Sequence, residues 1–141
     1  MNSIVMKNFV SFAHALADET RLRIVHLLMN EPLCVCELAD VLEMPQSSVS
    51  SHVQVIKKSG MLDSERCEKW VYYRLSPAYR HLFMSMSGFF EISAASDAVL
   101  KADAKKAVKR LAQRDDSCCP TPRELKKLKP LTQKRVSRAT A

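Results

Sequence analysis

Glycine is scarce in this sequence, with 2 among 141 residues, and this excludes a turn-rich all-β architecture in favour of long helices. No apolar run approaches the roughly 20 residues that a membrane-spanning helix needs. The segment 4–17 imitates a signal peptide only weakly, because Lys7 and Asn8 interrupt it and a positive start is missing. We therefore expect a cytoplasmic protein.

Cysteine occurs in an odd number, and the Cys-x-x-Cys pair is absent. The five cysteines, at positions 34, 36, 67, 118 and 119, do not fit the even framework of a secreted disulfide-rich domain. In a reducing compartment such residues are more often metal ligands or reactive thiols. A small thiol enzyme or a metal carrier is the weaker alternative, because the sequence offers neither a general base beside a thiol nor a cofactor loop.

Positive charge is concentrated at the end of the sequence. Residues 1–95 carry 9 basic and 10 acidic side chains, whereas residues 96–141 carry 13 and 5, so the net charge of +7 is the sum of −1 and +8. A basic segment favours nucleic acid or an anionic surface without choosing between them. Residues 115–141 are predicted to be a basic, disordered tail that contains the Cys118-Cys119 pair.

Apolar residues recur at helical spacing through the sequence before that tail. They predict a domain over residues 1–95 and an additional amphipathic helix over 96–114. Four helices are expected before the first strand, of which the second is capped by Asp18 and the fourth ends at Gly60, a residue type that tolerates a left-handed backbone. The additional helix is expected to bury one apolar side, formed by Leu100, Ala104, Ala107, Val108 and Leu111.

Two strands are predicted to follow the fourth helix. Residues 62–66 and 70–75 are rich in strand-forming types, and the short connection between them makes a hairpin. Ser76-Pro77 then begins a fifth helix with an N-cap and a proline at the first helical position. A short helix, a tight turn, a second helix and a hairpin predict a mainly α fold with a β-hairpin wing (α+β), the winged helix-turn-helix.

The fourth helix presents a polar face without carboxylates, while Val49, Val53 and Ile56 recur at the spacing that packs inward. Short donors and acceptors on such a face can reach base edges in the major groove, and nearby basic residues can contact phosphates. An ordinary solvated helix face is the alternative. The candidate DNA-binding residues are Gln46, Ser47, Ser48, Ser50, Ser51, His52, Gln54, Lys57, Lys58, Arg66 and Lys69.

The first and fifth helices are more apolar than a domain of about ninety residues needs. The clearest surplus is Phe83, Met86, Phe89 and Phe90. A homodimer through these two helices would bury them and present two recognition helices to successive major grooves of double-stranded operator DNA. The alternative is that the chain after Arg114 folds back and covers them.

Residues 9–90 resemble the ArsR/SmtB family of metalloregulatory winged-helix repressors. The matching segments, in order, are ADETRLRIVHLL, LCVCELAD, QSSVSSHVQVIKKSGML and WVYYRL. The resemblance implies a homodimer that represses its own operon and releases the operator on binding metal. Cys34-Val35-Cys36 resembles the ligand motif of the arsenic-responsive and the cadmium/lead-responsive branches, and we assign the sequence to the former.

Cys34 and Cys36 are predicted to offer two soft thiolate ligands from the first turn of the third helix, where the helix dipole favours the thiolate. Residues two apart on a regular helix point to different sides, so one ion would hold both sulfurs only if that turn unwound or tilted. Ligation would then distort the support of the recognition helix. The alternative is a pair of buried, unligated thiols.

The remaining ligands are expected from Cys118, Cys119 or both, in the same protomer or its partner. The third cysteine that the arsenic-responsive branch often has is Ala39 here, and no cysteine precedes Cys34. Three sulfurs would suit As(III) or Sb(III) as inducer, and four would suit cadmium or zinc, with lead as a further candidate of this group. The alternative for the C-terminal pair is an incidental feature of a mobile tail.

Other titratable residues are given simpler roles. Cys67 is predicted to be an exposed thiol at the wing tip, and His14 and His26 are expected to be packing or DNA-facing groups rather than ligands. His81 lacks the downstream partner of the family's dimer-helix zinc site, which we therefore expect to be absent. The main rival function is a redox-sensing repressor of the same fold, in which the Cys34/Cys36 or Cys118-Cys119 pair oxidises.

Overall fold

The computed structural model describes residues 3–125, and that part of the chain forms six helices and one three-stranded antiparallel sheet. None of the helices in this part is long and apolar enough to cross a membrane. The predicted mainly α fold with a β-hairpin wing is confirmed. In chain order the elements are α1 (Ile4–Leu16), α2 (Glu19–Leu28), β1 (Leu33–Cys34), α3 (Val35–Leu42), α4 (Gln46–Lys58), β2 (Leu62–Cys67), β3 (Trp70–Leu75), α5 (Pro77–Phe90) and α6 (Ala98–Leu111).

Side-chain caps and one glycine define several helix ends. Asp18 accepts a hydrogen bond from the backbone N–H of Arg21 at 3.0 Å and so begins α2, as predicted. Asp97 does the same for α6. Gly60 has φ +84, which confirms the predicted left-handed residue after α4.

The core lies where α2, α3 and α4 meet. Val49, Val53 and Ile56 of α4 are fully buried, so the predicted inward stripe is confirmed. Because this stripe fixes the rotation of α4 about its axis, the polar side of the helix faces solvent. The fold therefore presents the candidate DNA-reading side chains as one helix face.

The sheet ties the start of α3 to the wing. Its strand order is β1-β3-β2, and Cys34 of β1 pairs with Tyr72 of β3. The sequence did not indicate β1, because two residues are too few to show an alternating pattern. Its consequence is that Cys34 is held by sheet pairing rather than by helix geometry.

The α6 helix packs on α2 and α3 partly through ion pairs. Asp103 receives a two-point hydrogen bond from Arg23 at 2.8 and 2.9 Å, and Arg110 donates to Asp40 at 2.8 Å. The expected apolar side is therefore partly wrong, because Val108 is 71% exposed and charged residues take its place. The buried residues of α6 are Leu100, Asp103, Ala107 and Arg110.

The structure also differs from the expectation of a disordered tail beginning at residue 115. Residues 115–125, called the strap from here on, leave α6 and lie against the wing. Cys119 is fully buried and Leu125 is 7% exposed, because both pack with Cys34 and Tyr72 in a small second core. The rest of the predicted tail, 126–141, lies outside the described residues.

Candidate metal centre and nucleic-acid interface

Three cysteine sulfurs meet at the junction of α3, the wing and the strap. The Sγ atoms of Cys34, Cys36 and Cys119 all lie within 4.8 Å of one another, and those of Cys34 and Cys119 are 3.5 Å apart. Cys34 and Cys119 are buried, and Cys36 is half-buried. Three soft sulfurs at this spacing are the donor set that a thiophilic metal or metalloid prefers. Cys118 is exposed and is not a member of the group.

The two sulfurs of the Cys34-Val35-Cys36 segment converge without any unwinding of α3. Cys34 is the N-cap, with extended backbone angles φ −89 and ψ 168, and only Cys36 has helical geometry. The prediction that the first turn must distort to bring both sulfurs together is therefore wrong. It assumed that both residues lie within the helix, whereas Cys34 ends a strand.

A buried ion pair between Glu37 and Arg114 stabilises the first turn of α3. Glu37 is fully buried, and its carboxylate accepts the backbone N–H of Cys34 at 3.1 Å. Arg114 donates to both carboxylate oxygens at 2.7 and 2.9 Å and also to the carbonyl of Pro32 at 2.6 Å. Sequence reasoning missed Glu37 and Arg114. The available signal was the Cys-x-x-Glu spacing, which imitates a capping box.

A second arginine contacts the third sulfur. Arg110 lies on α6 with Nη2 3.5 Å from the Sγ of Cys119, while its Nε donates to Asp40 at 2.8 Å. Each of the two arginines beside the sulfurs is thus matched by one carboxylate. The surroundings of the three thiols carry no net charge from these four side chains.

Burial disfavours the charged thiolate form of Cys34 and Cys119. Burial raises the pKa of Cys34 far above its ordinary value, and the nearby Glu37 carboxylate adds to the effect. Burial also raises the pKa of Cys119, although Arg110 opposes the shift. For Cys34 the expected stabilisation of the thiolate by the helix N-terminus is therefore outweighed by desolvation.

The sulfur of Cys36 also touches the recognition helix. It donates a hydrogen bond of 3.7 Å to the side-chain oxygen of Gln46, the first residue of α4. One side chain of the cysteine group is thereby in direct contact with a candidate DNA-binding residue. This contact joins the two candidate sites directly, beside the packing of α3 on α4.

The candidate DNA-binding residues lie on α4 and on the hairpin. On α4, Gln46, Ser47, Ser51, Gln54, Lys57 and Lys58 are exposed, and Ser48, Ser50 and His52 are half-buried. His52 is held against α2, with its Nδ1 3.4 Å from Nη1 of Arg21 and 3.8 Å from Asp18. Arg66 and Lys69 of the wing are exposed. The arrangement offers hydrogen-bonding groups on one helix and positive charge on the neighbouring hairpin.

The other singled-out residues do not belong to the three-sulfur group. Cys67 is half-buried against the small second core rather than exposed as predicted. His26 is buried against Phe83, and burial lowers its pKa. His81 is exposed on α5.

The central part of the chain matches known regulators in sequence. The profile of the family described as bacterial regulatory protein, arsR family, matches residues 18–64. The chain is 50% identical over 64 residues to the arsenical resistance operon repressor of Escherichia coli K12, a match that covers 44% of this chain and 54% of that protein. It is 43% identical over 63 residues to the cadmium resistance transcriptional regulatory protein CadC of Listeria innocua, covering 44% and 53%. The chain thus spans about half the length of these curated relatives.

A further relative is covered more completely. The HTH-type transcriptional regulator MJ1325 of Methanocaldococcus jannaschii is 38% identical over 60 residues, which are 42% of this chain and 67% of that protein.

Two solved structures share the fold. The homodimeric winged helix-turn-helix domain of Mb0332 from Mycobacterium bovis superposes with a TM-score of 0.59 at 24% identity, over 62% of this chain and 82% of that one. The AntR antimony-specific transcriptional repressor superposes with a TM-score of 0.53 at 26% identity, over 68% and 87%.

Proposed function

Because the chain belongs to the arsR family of bacterial regulatory proteins, which are transcriptional regulators and not enzymes, we propose that it is a DNA-binding repressor whose operator is released by a thiophilic inducer. It acts as a homodimer on double-stranded operator DNA in the cytoplasm. The apolar side chains left exposed on α1 and α5, among them Phe9 and Phe89, support the dimer. The observation that carries the proposal is that Cys36 belongs both to the sulfur group and to the contact with α4.

Charge favours As(III) or Sb(III) over a divalent ion as the inducer. Arsenous acid that exchanges three hydroxyl groups for three thiol sulfurs releases three waters, and the product is neutral. Cadmium or zinc on three thiolates leaves one negative charge and releases three protons. The two arginines beside the sulfurs already form ion pairs with Asp40 and Glu37. A buried anionic complex would therefore lack a counter-charge. Arsenical and antimony repressors among the relatives support this preference, and the cadmium regulator among them does not distinguish the ions.

Operator release follows from the loss of one hydrogen bond. The thiol proton of Cys36 leaves when its sulfur becomes a ligand, so that sulfur can no longer donate to Gln46. The first residue of the recognition helix then loses its partner in α3, and the position of the helix N-terminus changes. A coupling of roughly 1–3 kcal/mol, which is typical of allosteric linkage, would lower operator affinity by about one to two orders of magnitude.

The experiment is a titration of the purified protein, bound to its own promoter DNA, with arsenite and separately with cadmium. Arsenite is expected to release the DNA from the wild type. Cys34→Ser and Cys36→Ser are expected to bind DNA and to keep it in arsenite, whereas Cys67→Ser should respond as the wild type does. Normal release from Cys36→Ser would refute the proposal. Arsenite affinity should change little between pH 6 and 8, while cadmium affinity should rise because protons are released.

A second candidate function is favoured by the separation of two buried sulfurs. Cys34 and Cys119 are 3.5 Å apart at Sγ, so a small movement would reach the roughly 2.05 Å of a disulfide. Peroxide would take two electrons and two protons from the thiols, giving one disulfide and two waters. If peroxide releases the promoter DNA from the protein and arsenite does not, the redox function is correct.

A further inference from the structure

The third sulfur depends on a contact between the strap and the wing. Cys34 and Cys36 are fixed by β1 pairing and by α3, both of which belong to the core. Cys119 comes from residues 115–125, 85 positions further along the chain from Cys34, and no helix or sheet ladder holds it. Its place beside Cys34 must therefore be set by the groups that bind the strap.

The strongest of these groups is a carboxylate on β2. Glu65 accepts the backbone N–H groups of three successive strap residues, Arg123, Glu124 and Leu125, at 2.8 to 3.1 Å. Converging backbone donors of this kind form a nest for an anion. Although desolvation acts to raise it, these hydrogen bonds lower the pKa of Glu65.

Two further contacts lie between the carboxylate and the sulfur. The hydroxyl of Tyr72 donates to the carbonyl of Pro120, the residue after Cys119. On the other side, Asp115 accepts the backbone N–H groups of Ser117 and Cys118 at 2.8 Å. The strap is thus held on both sides of Cys119 but docks on the wing only after it.

Cys119 itself needs to be held, because its backbone is unfavourable. It has φ +55, in the left-handed region that residues other than glycine seldom adopt. A free strap would relax from this conformation and would turn the side chain away from Cys34. The carboxylate–backbone contacts supply the constraint that maintains it.

Resting on the function proposed above, we propose that Glu65 is a positioning residue of the inducer site: by docking the strap on the wing it holds Cys119 in the three-sulfur group. The wing, which carries the candidate DNA contacts Arg66 and Lys69, is thereby joined to the sensor. Arsenite can then bind through three sulfurs only while the strap is docked on the wing, so the two processes are thermodynamically coupled.

The test compares two substitutions that remove one carboxylate each from the full chain. Glu65→Gln keeps the size of the side chain but loses the charge that the strap N–H groups bind. Glu124→Gln, at an exposed strap residue, is the matched control. We expect arsenite affinity to fall roughly tenfold or more for Glu65→Gln, as the loss of charge-assisted hydrogen bonds predicts, and to stay within about twofold for Glu124→Gln.

A coordination measurement separates positioning from general destabilisation. X-ray absorption of bound arsenic should show three sulfur neighbours in the wild type and in Glu124→Gln, and two in Glu65→Gln. In a Cys119→Ser background, Glu65→Gln should weaken arsenite binding no further, because both changes remove the same ligand. Tyr72→Phe, which removes only the hydroxyl contact to the strap, should show a smaller effect of the same kind.

Each contrary result overturns the inference. It is wrong if Glu65→Gln binds arsenite through three sulfurs as tightly as the wild type, or if Glu65→Gln and Cys119→Ser weaken binding additively. Failure of the proposed function is a distinct result, because the wild type itself would then not bind arsenite or would keep its promoter DNA in arsenite.

Discussion

The neighbouring residues Cys118 and Cys119 have different surroundings. Cys119 is fully buried beside Cys34 and Arg110, whereas Cys118 is exposed and its backbone N–H is bound by Asp115. We predict that Cys119→Ser lowers arsenite affinity at least tenfold, because a hydroxyl is a poor ligand for a soft ion. Cys118→Ser should stay within about twofold of the wild type. Isothermal titration checks both, and equal losses would mean that the two sulfurs exchange places.

The buried ion pair below the sulfurs leads to a prediction about stability. Arg114→Met would leave the fully buried Glu37 carboxylate without its partner, which costs about 3–5 kcal/mol of unfolding free energy. Lys106→Met on the preceding helix, α6, breaks a pair with Glu43 that is largely exposed, and should cost less than about 1 kcal/mol. Urea denaturation measures both. If the two variants lose similar amounts of unfolding free energy, Glu37 is not desolvated, contrary to what the structure indicates.

Residue types alone were enough to predict part of the candidate site. Soft side chains in the Cys34-Val35-Cys36 segment predict a metal site because few other roles place two thiols together. They did not reveal Glu37, since a glutamate in a first helical turn is ordinary. Its full burial depends on Arg114, which lies 77 positions away in the chain.

Among the helices, α2 offers the clearest test of a local signal. Asp18 caps it, and the backbone N–H of Arg21 lowers the pKa of this carboxyl. Asp18→Ala should therefore cost about 1 kcal/mol at pH 7. Because the folded pKa lies below the unfolded one, the contribution is present above about pH 4 and is lost as pH falls through the folded value. Denaturation at a series of pH values from 7 downwards checks this, and a difference that does not shrink as the pH falls would contradict it.

Elements with a sequence period could be predicted, and those without one could not. The stripe of Val49, Val53 and Ile56 was sufficient to predict α4 and its outward face. The short β1 strand and the strap are defined by contacts to Tyr72 and Glu65 on the wing, and such distant pairings leave no local pattern. The same limit explains α6, where ion pairs take the place of part of the expected apolar stripe.

On the scale of the whole molecule, residues 3–125 leave a large apolar surface of α1 and α5 uncovered. Val5 and Phe9 of α1 are 81% and 69% exposed, and Phe89 and Phe90 of α5 are 81% and 64% exposed. Phe83 is buried in the protein's own core, so only part of the predicted surplus remains. The strap, which could have covered these residues, packs on the wing instead. A patch of this kind on a small protein is typical of an interface.

The dimer prediction can therefore be tested at one residue of that surface. Phe9→Glu places a charge in the expected interface and should convert the dimer to a monomer in sedimentation equilibrium. Because one half-site then binds without help from the other, affinity for a palindromic operator should fall roughly hundredfold, as loss of bivalency predicts. Val108→Glu, at a valine of α6 that is 71% exposed, introduces the same charge outside the patch and should change neither property. A Phe9→Glu protein that stays dimeric would place the interface elsewhere, whereas a monomer with unchanged operator affinity would show that one recognition helix is sufficient.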